Sequence, residues 1–402
     1  MPPPVTMRWG AHLPENVGEP MLMRSLLEQA LSVNPDNPAL HAKLGYLHFD
    51  RKDFASAASH FERALELDPG AAATRRSLAR CYNYLQRYED TIRLLAADGK
   101  PMFERGRAQM ELGDSGAEGE FRAVLARDPH HVQACRMLCR LLRKSENHAE
   151  IVAVCQSLAR RGAANAQLFY NWGSALTLVG EIDRARRLLF DPAKVVQIPL
   201  WEALPDKAAF NAALSEEILT NPNQLSNFPV EDEANRGSRR VDDLLTGRQP
   251  DLVRSLLAAI QNAVSSLVPP KCAGFDPWPT ARPKAARLRP WGLIQQNSDY
   301  EEGHIHPSGW LSGVYYVRVP EGISVGGAGR GCIEFQLPSA LTDASPTIAP
   351  SQRYLPQEGM LLMAPSHYRH RTIPSGIDEY RISVAFDVVP DACDHSEVGR
   401  QA

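Results

Sequence analysis

The sequence lacks any run of about 18 consecutive apolar residues, the least that a membrane-spanning helix requires. Its opening, MPPPVTMRWGAHLPENVGEP, has no apolar core behind a basic start, so no secretory leader is expected there. Cysteine is sparse. The seven residues are odd in number and form no Cys-x-x-Cys pair, which argues against a zinc ribbon and a disulfide framework. Cys135 and Cys139 stand one helical turn apart, but two small residues packing between helices account for that spacing better than a metal pair does. An excess of charge of one sign is also missing. The net charge of −3 offers no electrostatic footprint for nucleic acid and no pull toward acidic membranes, although such a sum leaves room for a local patch. A reducing, cytoplasmic location is the default expectation. What is present is ordinary for globular protein: 44% apolar and 23% charged residues. The 402 residues are too many for one core and suggest two or three domains.

Self-similarity marks the N-terminal half. In PALHAKLGYLHFDRKDFASAASHFERALELDP (Pro38 to Pro69), Leu44 and Gly45 fall on a first helix. Ala57, Phe61 and Ala64 fall on a second, and Pro69 closes the unit. A shift of 34 residues brings Leu78, Ala79, Thr91 and Leu95 to the matching places. Later units are more degenerate. Gly106 with GEFRAVLARDP suggests a shortened third, Leu138 and Cys139 with Ile151 a fourth, and Trp172, Gly173, Gly180, Ala185 and Leu188 a fifth ending at Pro192. Small residues let paired helices approach, and large apolar ones fill the layer between them. The 34-residue period resembles that of tetratricopeptide repeats, over about Pro20 to Pro192. The resemblance implies a stacked array whose concave face holds a peptide or a protein partner; the alternative is an array that only supports the rest of the chain or dimerises.

Helical period fades near Val195. One amphipathic helix is expected over roughly Lys207 to Leu219 and another over about Asp251 to Leu267, with Leu252, Leu256, Leu257, Ile260 and Val264 on one stripe. Both are read as supports for a following sheet. Arg236, Arg239 and Arg240 are read as a solvated loop. From Ala286 the pattern becomes short β-rich runs: RLRPWGLIQQ, WLSGVYYVRV, GCIEFQL, GMLLMAP and YRISVAFDVV. Such runs suggest an all-β sandwich or barrel. The glycine-rich GISVGGAGRG lacks the Lys-Ser/Thr pair of a phosphate loop and precedes a strand, so it reads as a hairpin turn or a lid.

Three features sit on this frame. His304-Ile305-His306-Pro307 stands just before a strand, and residues two apart in an extended chain point the same way, so both imidazoles can meet one ion. Imidazole suits Fe(II), and also Zn, Cu and Ni. His370 follows 66 residues after His304, with His367 as a competitor expected to face elsewhere or water. Arg381 and Ser383 then open an apolar strand on one face. A guanidinium fork can hold a carboxylate bidentately and a hydroxyl can add a donor. The alternative for Arg381 is an internal salt bridge with Asp378 or Glu379. Tyr315, Tyr316 and Gln295 are candidates for lining a pocket.

The runs HIHPSGWLSGVYYVRVP, GCIEF, APSHYRHRTIP and RISVAFDVV resemble the 2-oxoglutarate-Fe(II) oxygenase family often found behind tetratricopeptide repeats in bacterial proteins. The resemblance covers about Pro199 to Pro390 and is tightest from Trp291 onward. It implies a double-stranded β-helix, or jelly roll, and a requirement for Fe(II), 2-oxoglutarate and O2. Carried over, His304 and His370 are iron ligands, and Arg381 with Ser383 binds the distal carboxylate of 2-oxoglutarate. The wider superfamily has His-x-Asp at its first two ligands, whereas this chain has His306 where the aspartate would stand. His306 either ligates the metal or stands behind the ligands, with Asp299, Glu301 or Glu302 as nearby carboxylates.

The expected fold is thus α+β and multidomain. It has an N-terminal extension (1–19), an α-solenoid of tetratricopeptide repeats (20–192), a jelly roll with supporting helices (193–390) and a disordered tail (391–402). The expected function is a dioxygenase that hydroxylates a peptide or protein side chain presented by the array. Two alternatives are a binding scaffold with a silent cupin-like domain and a three-His iron enzyme without 2-oxoglutarate, such as a thiol dioxygenase. Arg381 and Ser383 favour the first reading over the last. Oligomeric state and substrate are not legible.

Overall fold

The protein is described from a computed structural model that covers residues 5–8, 20–96, 99–100, 102–200, 204, 206–225, 234–267, 269, 274–325, 329–345, 349 and 351–391. The tail after 391 and most of the N-terminal extension lie outside the described residues. The chain divides into two compact units, one over Leu13–Leu141 and the other over Leu142–Asp394 together with Met1–His12. The expected array therefore spans both.

The first unit is built from antiparallel helix pairs: α1 (Pro20–Val33), α2 (Pro38–Asp50), α3 (Phe54–Leu67), α4 (Ala72–Tyr84), α5 (Tyr88–Leu95), α6 (Phe103–Glu111), α7 (Gly116–Arg127) and α8 (Val132–Lys144), the last running past Leu141. Short polar side chains start α2 and α3. Asn37 accepts from the Ala39 and Leu40 N–H groups and Asp53 from that of Ser56, satisfying donors that the helix leaves open. The 34-residue period has a steric cause. A Cβ added at Gly45 would lie 2.6 Å from the Phe61 ring, so α2 and α3 meet only because that position has no side chain. Phe61 itself is fully buried among Ala57, Ala58, Leu78 and Tyr82.

The second unit begins with three more helices, α9 (His148–Arg160), α10 (Ala166–Leu178) and α11 (Ile182–Leu189), and between the last two Gly173 meets Leu189 as Gly45 meets Phe61. These pack within the same compact unit as the sheets. The supporting helices are α12 (Lys207–Leu219), matching its expected bounds, and α13 (Pro250–Ser266). Two short helices, α14 (Glu321–Val325) and α15 (Ser339–Ala344), follow.

Thirteen strands are described: β1 (Thr6–Arg8), β2 (Val196–Pro199), β3 (Gln224–Leu225), β4 (Asn235–Arg236), β5 (Arg239–Val241), β6 (Ala285–Gln295), β7 (Tyr300–Glu301), β8 (Leu311–Arg318), β9 (Ile333–Gln336), β10 (Ser351–Tyr354), β11 (Met360–Pro365), β12 (His370–Thr372) and β13 (Arg381–Pro390). The large sheet runs β2-β11-β8-β13-β6-β5-β3, and β1 adds to β6 in parallel. A second sheet runs β10-β9-β12, and β4 pairs β7. This is the jelly-roll architecture. Its core lies between the large sheet and the supporting helices. Ile382, Val384, Phe386 and Val388 on β13 are fully buried, and Tyr315 on β8 donates to Asn211 of α12 at 2.8 Å.

Several expectations change. Arg239 and Arg240 lie on β5 of the large sheet, not in a solvated loop; Arg236 is on β4 and pairs with Glu302. The run read as a hairpin turn or lid is partly helical, as α14. It connects strands of different sheets, because β8 and β9 do not pair; residues 326–328 within it lie outside the description. His367 faces away from the candidate site, as expected, but into the core and not into water. It is buried, bonded through Nε2 to the Leu188 carbonyl at 2.7 Å, and packed on Phe169. Tyr315 is a core residue rather than a pocket residue.

Two measurements check this packing. Phe61→Ala removes a fully buried ring and should cost about 3–5 kcal/mol. Denaturation of the whole chain followed by far-UV circular dichroism should then lose part of its helical signal at lower urea, and an unshifted curve would contradict the packing. His367 gives the second. Burial, helped by the Lys194 cation, pushes its imidazole down to about 3 from the ordinary 6.5. The unfolded chain therefore takes up a proton near 6.5 that the folded chain refuses until about 3, and stability falls as pH drops through that window. His367→Gln keeps a donor for Leu188 and does not titrate. Its stability profile should be flatter than that of the parent between about pH 7 and about pH 4; identical slopes would refute the assignment.

Candidate metal centre

Two backbone segments bring the three histidines together. The His304 N–H donates to the His370 carbonyl, and the His370 N–H to the His304 carbonyl, each at 2.9 Å. Further on, the His306 N–H donates to the Ser366 carbonyl at 3.1 Å. The segment 304–306 thus runs antiparallel to 366–370, and the side chains of His304, His306 and His370 share one side. Helices of the same unit pin both segments. The Ala166 and Gln167 N–H groups at the start of α10 donate to the Gly309 and Pro307 carbonyls. The Tyr368 hydroxyl accepts from the Asp191 N–H, just past α11, at 2.9 Å. Open donors at a helix start are used here to hold a ligand loop.

The three imidazoles offer ring nitrogens that all lie within 4.8 Å of one another. Their hydrogen bonds fix the tautomers. Nδ1 of His304 meets the Glu302 carbonyl at 2.7 Å, Nδ1 of His370 the Tyr368 carbonyl at 2.9 Å, and Nδ1 of His306 the Asp387 carboxylate at 3.1 Å. All three partners only accept, so each Nδ1 carries a proton, and Nε2 is the nitrogen left to offer a lone pair to a metal. Burial, reinforced by the neighbouring imidazoles, pushes His304 down to about 4 and His370 well below its ordinary value, which disfavours a proton on either ring. The Nε2 atoms of His306 and His370 are 3.2 Å apart. Two lone pairs at that separation repel unless a cation lies between them. The residues therefore fit a divalent ion with a taste for imidazole.

Asp387 is the residue that sequence reasoning missed. Beyond His306 it accepts from the Ser312 hydroxyl at 2.6 Å, and Ser312 in turn bonds Ser366 at 2.7 Å. Its position was present in the alternation of RISVAFDVV, since Arg381, Ser383, Ala385 and Asp387 occupy one face of β13. The partner 81 residues away was not. None of the carboxylates considered earlier joins the ligand cluster. Asp299 accepts from the Gln296 N–H, Glu302 pairs with Arg236, and Glu301 lines the cavity.

The face of β13 that carries Asp387 borders a cavity of about 310 Å³, which the three histidines also line. Arg381 and Ser383 lie farther along the same face. Arg381 is only 5% exposed, and its guanidinium reaches neutral acceptors alone, the Gly331 carbonyl and Oε1 of Gln295. No salt bridge joins it to Asp378 or Glu379; Asp378 instead accepts from Asn297. Burial lowers the affinity of this guanidinium for its proton, as expected of a cation taken from water, and outweighs the opposing pull of the Tyr316 phenol and the Glu301 carboxylate. Tyr316 and Gln295 line the same cavity, and burial pushes the Tyr316 phenol up to about 12, leaving it a neutral donor. Above the histidines, Trp291 stacks on His306 with ring centres 5.6 Å apart, and the Arg240 guanidinium lies 4.9 Å from the other ring's centre, that of Trp291.

A family model described as "Putative 2OG-Fe(II) oxygenase" matches residues 289–387, and a tetratricopeptide-repeat model matches residues 24–72 and 43–97. Among solved structures, a Pseudomonas putida prolyl-4-hydroxylase is 15% identical, with 49% of this chain and 92% of that one covered, at a TM-score of 0.32. HygX from Streptomyces hygroscopicus, solved with nickel, 2-oxoglutarate and hygromycin B, is 12% identical over 49% and 83% of the two chains, at 0.32. The tetratricopeptide-repeat protein YrrB, described as having an unusual peptide-binding site, is 16% identical over 41% and 90%, at 0.33. A search of curated proteins returns no match. The chain carries tetratricopeptide repeats over residues 24–97 and a putative 2OG-Fe(II) oxygenase domain over residues 289–387.

Proposed function

We propose that this protein is an Fe(II)- and 2-oxoglutarate-dependent dioxygenase that hydroxylates a peptide or protein side chain, with His304, His306 and His370 as metal ligands. One observation carries the reading. A buried arginine that makes no salt bridge among the described residues, Arg381, borders the same cavity as three imidazoles whose ring nitrogens converge. A cation site and an anion site in one pocket suit a cosubstrate with a chelating end and a distal carboxylate. Bound there, Fe(II) with 2-oxoglutarate and O2 would supply the oxidising chemistry, coupling release of CO2 and succinate to substrate hydroxylation.

The chain's own residues have separate tasks. Arg381 holds the distal carboxylate bidentately, and Ser383 adds a hydroxyl donor from two residues along the strand. Tyr316 remains neutral and can donate to the same anion. Leu293, Ile333, Phe335 and Leu362 wall the cavity and exclude water, which strengthens these charge interactions. Asp387 keeps the proton on Nδ1 of His306, so that Nε2 stays free for the metal. It also brings a negative charge next to a ligand set that is otherwise neutral. The carboxylate absent from position 306 is in this way replaced from behind the ring.

The first test is chemical. Anaerobic loading with Fe(II) and 2-oxoglutarate should give the weak visible charge-transfer band, and admitting O2 should release succinate. Arg381→Ala should weaken 2-oxoglutarate binding by about 10- to 100-fold; unchanged binding would refute the anion site. The second test addresses Asp387. Asp387→Ala should weaken Fe(II) or Co(II) binding by about 10- to 100-fold, followed by protein fluorescence, while Asp387→Asn, which still accepts from Nδ1, should lose less. Equal affinity in all three proteins would remove Asp387 from the account.

A further inference from the structure

The near-zero net charge conceals a segregation within the helical unit. Up to Leu141, the first helices of the pairs, α2, α4, α6 and α8, carry eight basic residues against three acidic ones. The second helices, α3, α5 and α7, carry four basic against six acidic. The excess of cations is ordered. Arg80, Arg107 and Arg140 each follow the small buried residue of a first helix, Ala79, Gly106 and Cys139, and so occupy one position of the repeat. The Arg80 guanidinium lies 4.6 Å from the ring centre of Phe49, and that of Arg107 lies 5.0 Å from the ring centre of Tyr84. Arg80 and Arg107 thus each lean on an aromatic of the preceding first helix, and Arg140 holds the corresponding position on α8. Arg76 and Arg136 stand one turn before Arg80 and Arg140 on the same stripes.

This ladder is poorly neutralised. Arg63 and Arg87, by contrast, are paired with Asp36, Glu62, Glu66 and Asp90. Among the described residues, none of Arg76, Arg80, Arg107, Arg136 and Arg140 makes an ion pair. Arg76, Arg80 and Arg107 act together on one carboxylate, that of the half-buried Glu104. A guanidinium whose face rests on an aromatic ring keeps its N–H edges outward, ready for a second acceptor. Packed helices stand about 8–10 Å apart, and alternate residues of an extended peptide about 7 Å apart. A row of arginines on neighbouring helices therefore suits acids at alternate positions of an extended chain.

We propose that the arginine ladder of the first helices docks an acidic, extended peptide, its Asp or Glu carboxylates forming forked bonds with Arg80, Arg107 and Arg140. This rests on the reading of the array as a peptide-binding surface and does not require the oxygenase chemistry. Binding is measured on the full chain by fluorescence anisotropy of a fluorescein-labelled alternating Glu-Gly peptide of about a dozen residues. Matched Gln-Gly and Lys-Gly peptides and a single-stranded RNA of equal length serve as comparisons. The Glu-Gly peptide should bind best, and more weakly as salt rises. The combined Arg80→Glu, Arg107→Glu and Arg140→Glu variant should weaken it by at least about tenfold, whereas Arg93→Glu on α5 should not. Should the reversals unfold the chain by circular dichroism, the corresponding Gln variants should give the same direction of loss. Equal binding of Gln-Gly would overturn the acidic preference but leave the peptide surface standing. No binding by any peptide would overturn both, and tighter binding of RNA would overturn the proposal by assigning the ladder to nucleic acid.

Discussion

Two reciprocal backbone hydrogen bonds between His304 and His370 hold the rest of the site in place. They join a loop that precedes one strand to the start of another in a different sheet, and they set the register between them. Slipping that register by one residue would turn every ligand to the opposite face. The start of α10 and the residue after α11 grip the same two loops from the side, so the last helical pairs belong to the architecture of the site as much as to a repeat.

The chemistry follows from that geometry through a displacement of charge. A facial triad with a carboxylate neutralises part of the metal's charge directly. Here three neutral imidazoles converge, and the carboxylate stands one ring behind, on Asp387. The same strand bears Arg381 and Ser383 toward its other end. One face of β13 therefore lines the cavity from Arg381 to Asp387, while its opposite face, all aliphatic or aromatic, fixes the strand in the core. Any change that loosens this strand disturbs both sites together.

Much of this was legible from residues alone. The 34-residue period, the helix over Lys207 to Leu219, the five strands and the pairing of His304 with His306 rest on local signals, spacing and alternation, whereas His370 joined them through the family resemblance. What escaped depends on partners far away in the chain. β1 is three residues long and is a strand only because β6 lies beside it. Asp387 sat in plain alternation with Arg381, yet nothing local tied it to His306. The arginine ladder was hidden by the sum, because acidic second helices cancel basic first helices in any count over the whole chain.

The central claim is that three imidazoles, and no protein carboxylate, bind the metal directly. X-ray absorption at the iron edge of the anaerobically Fe(II)-loaded protein tests it most directly. The account predicts outer-shell scattering from three imidazole rings with their nitrogens at about 2.0–2.2 Å. Scattering from only two rings, or from none, would contradict it.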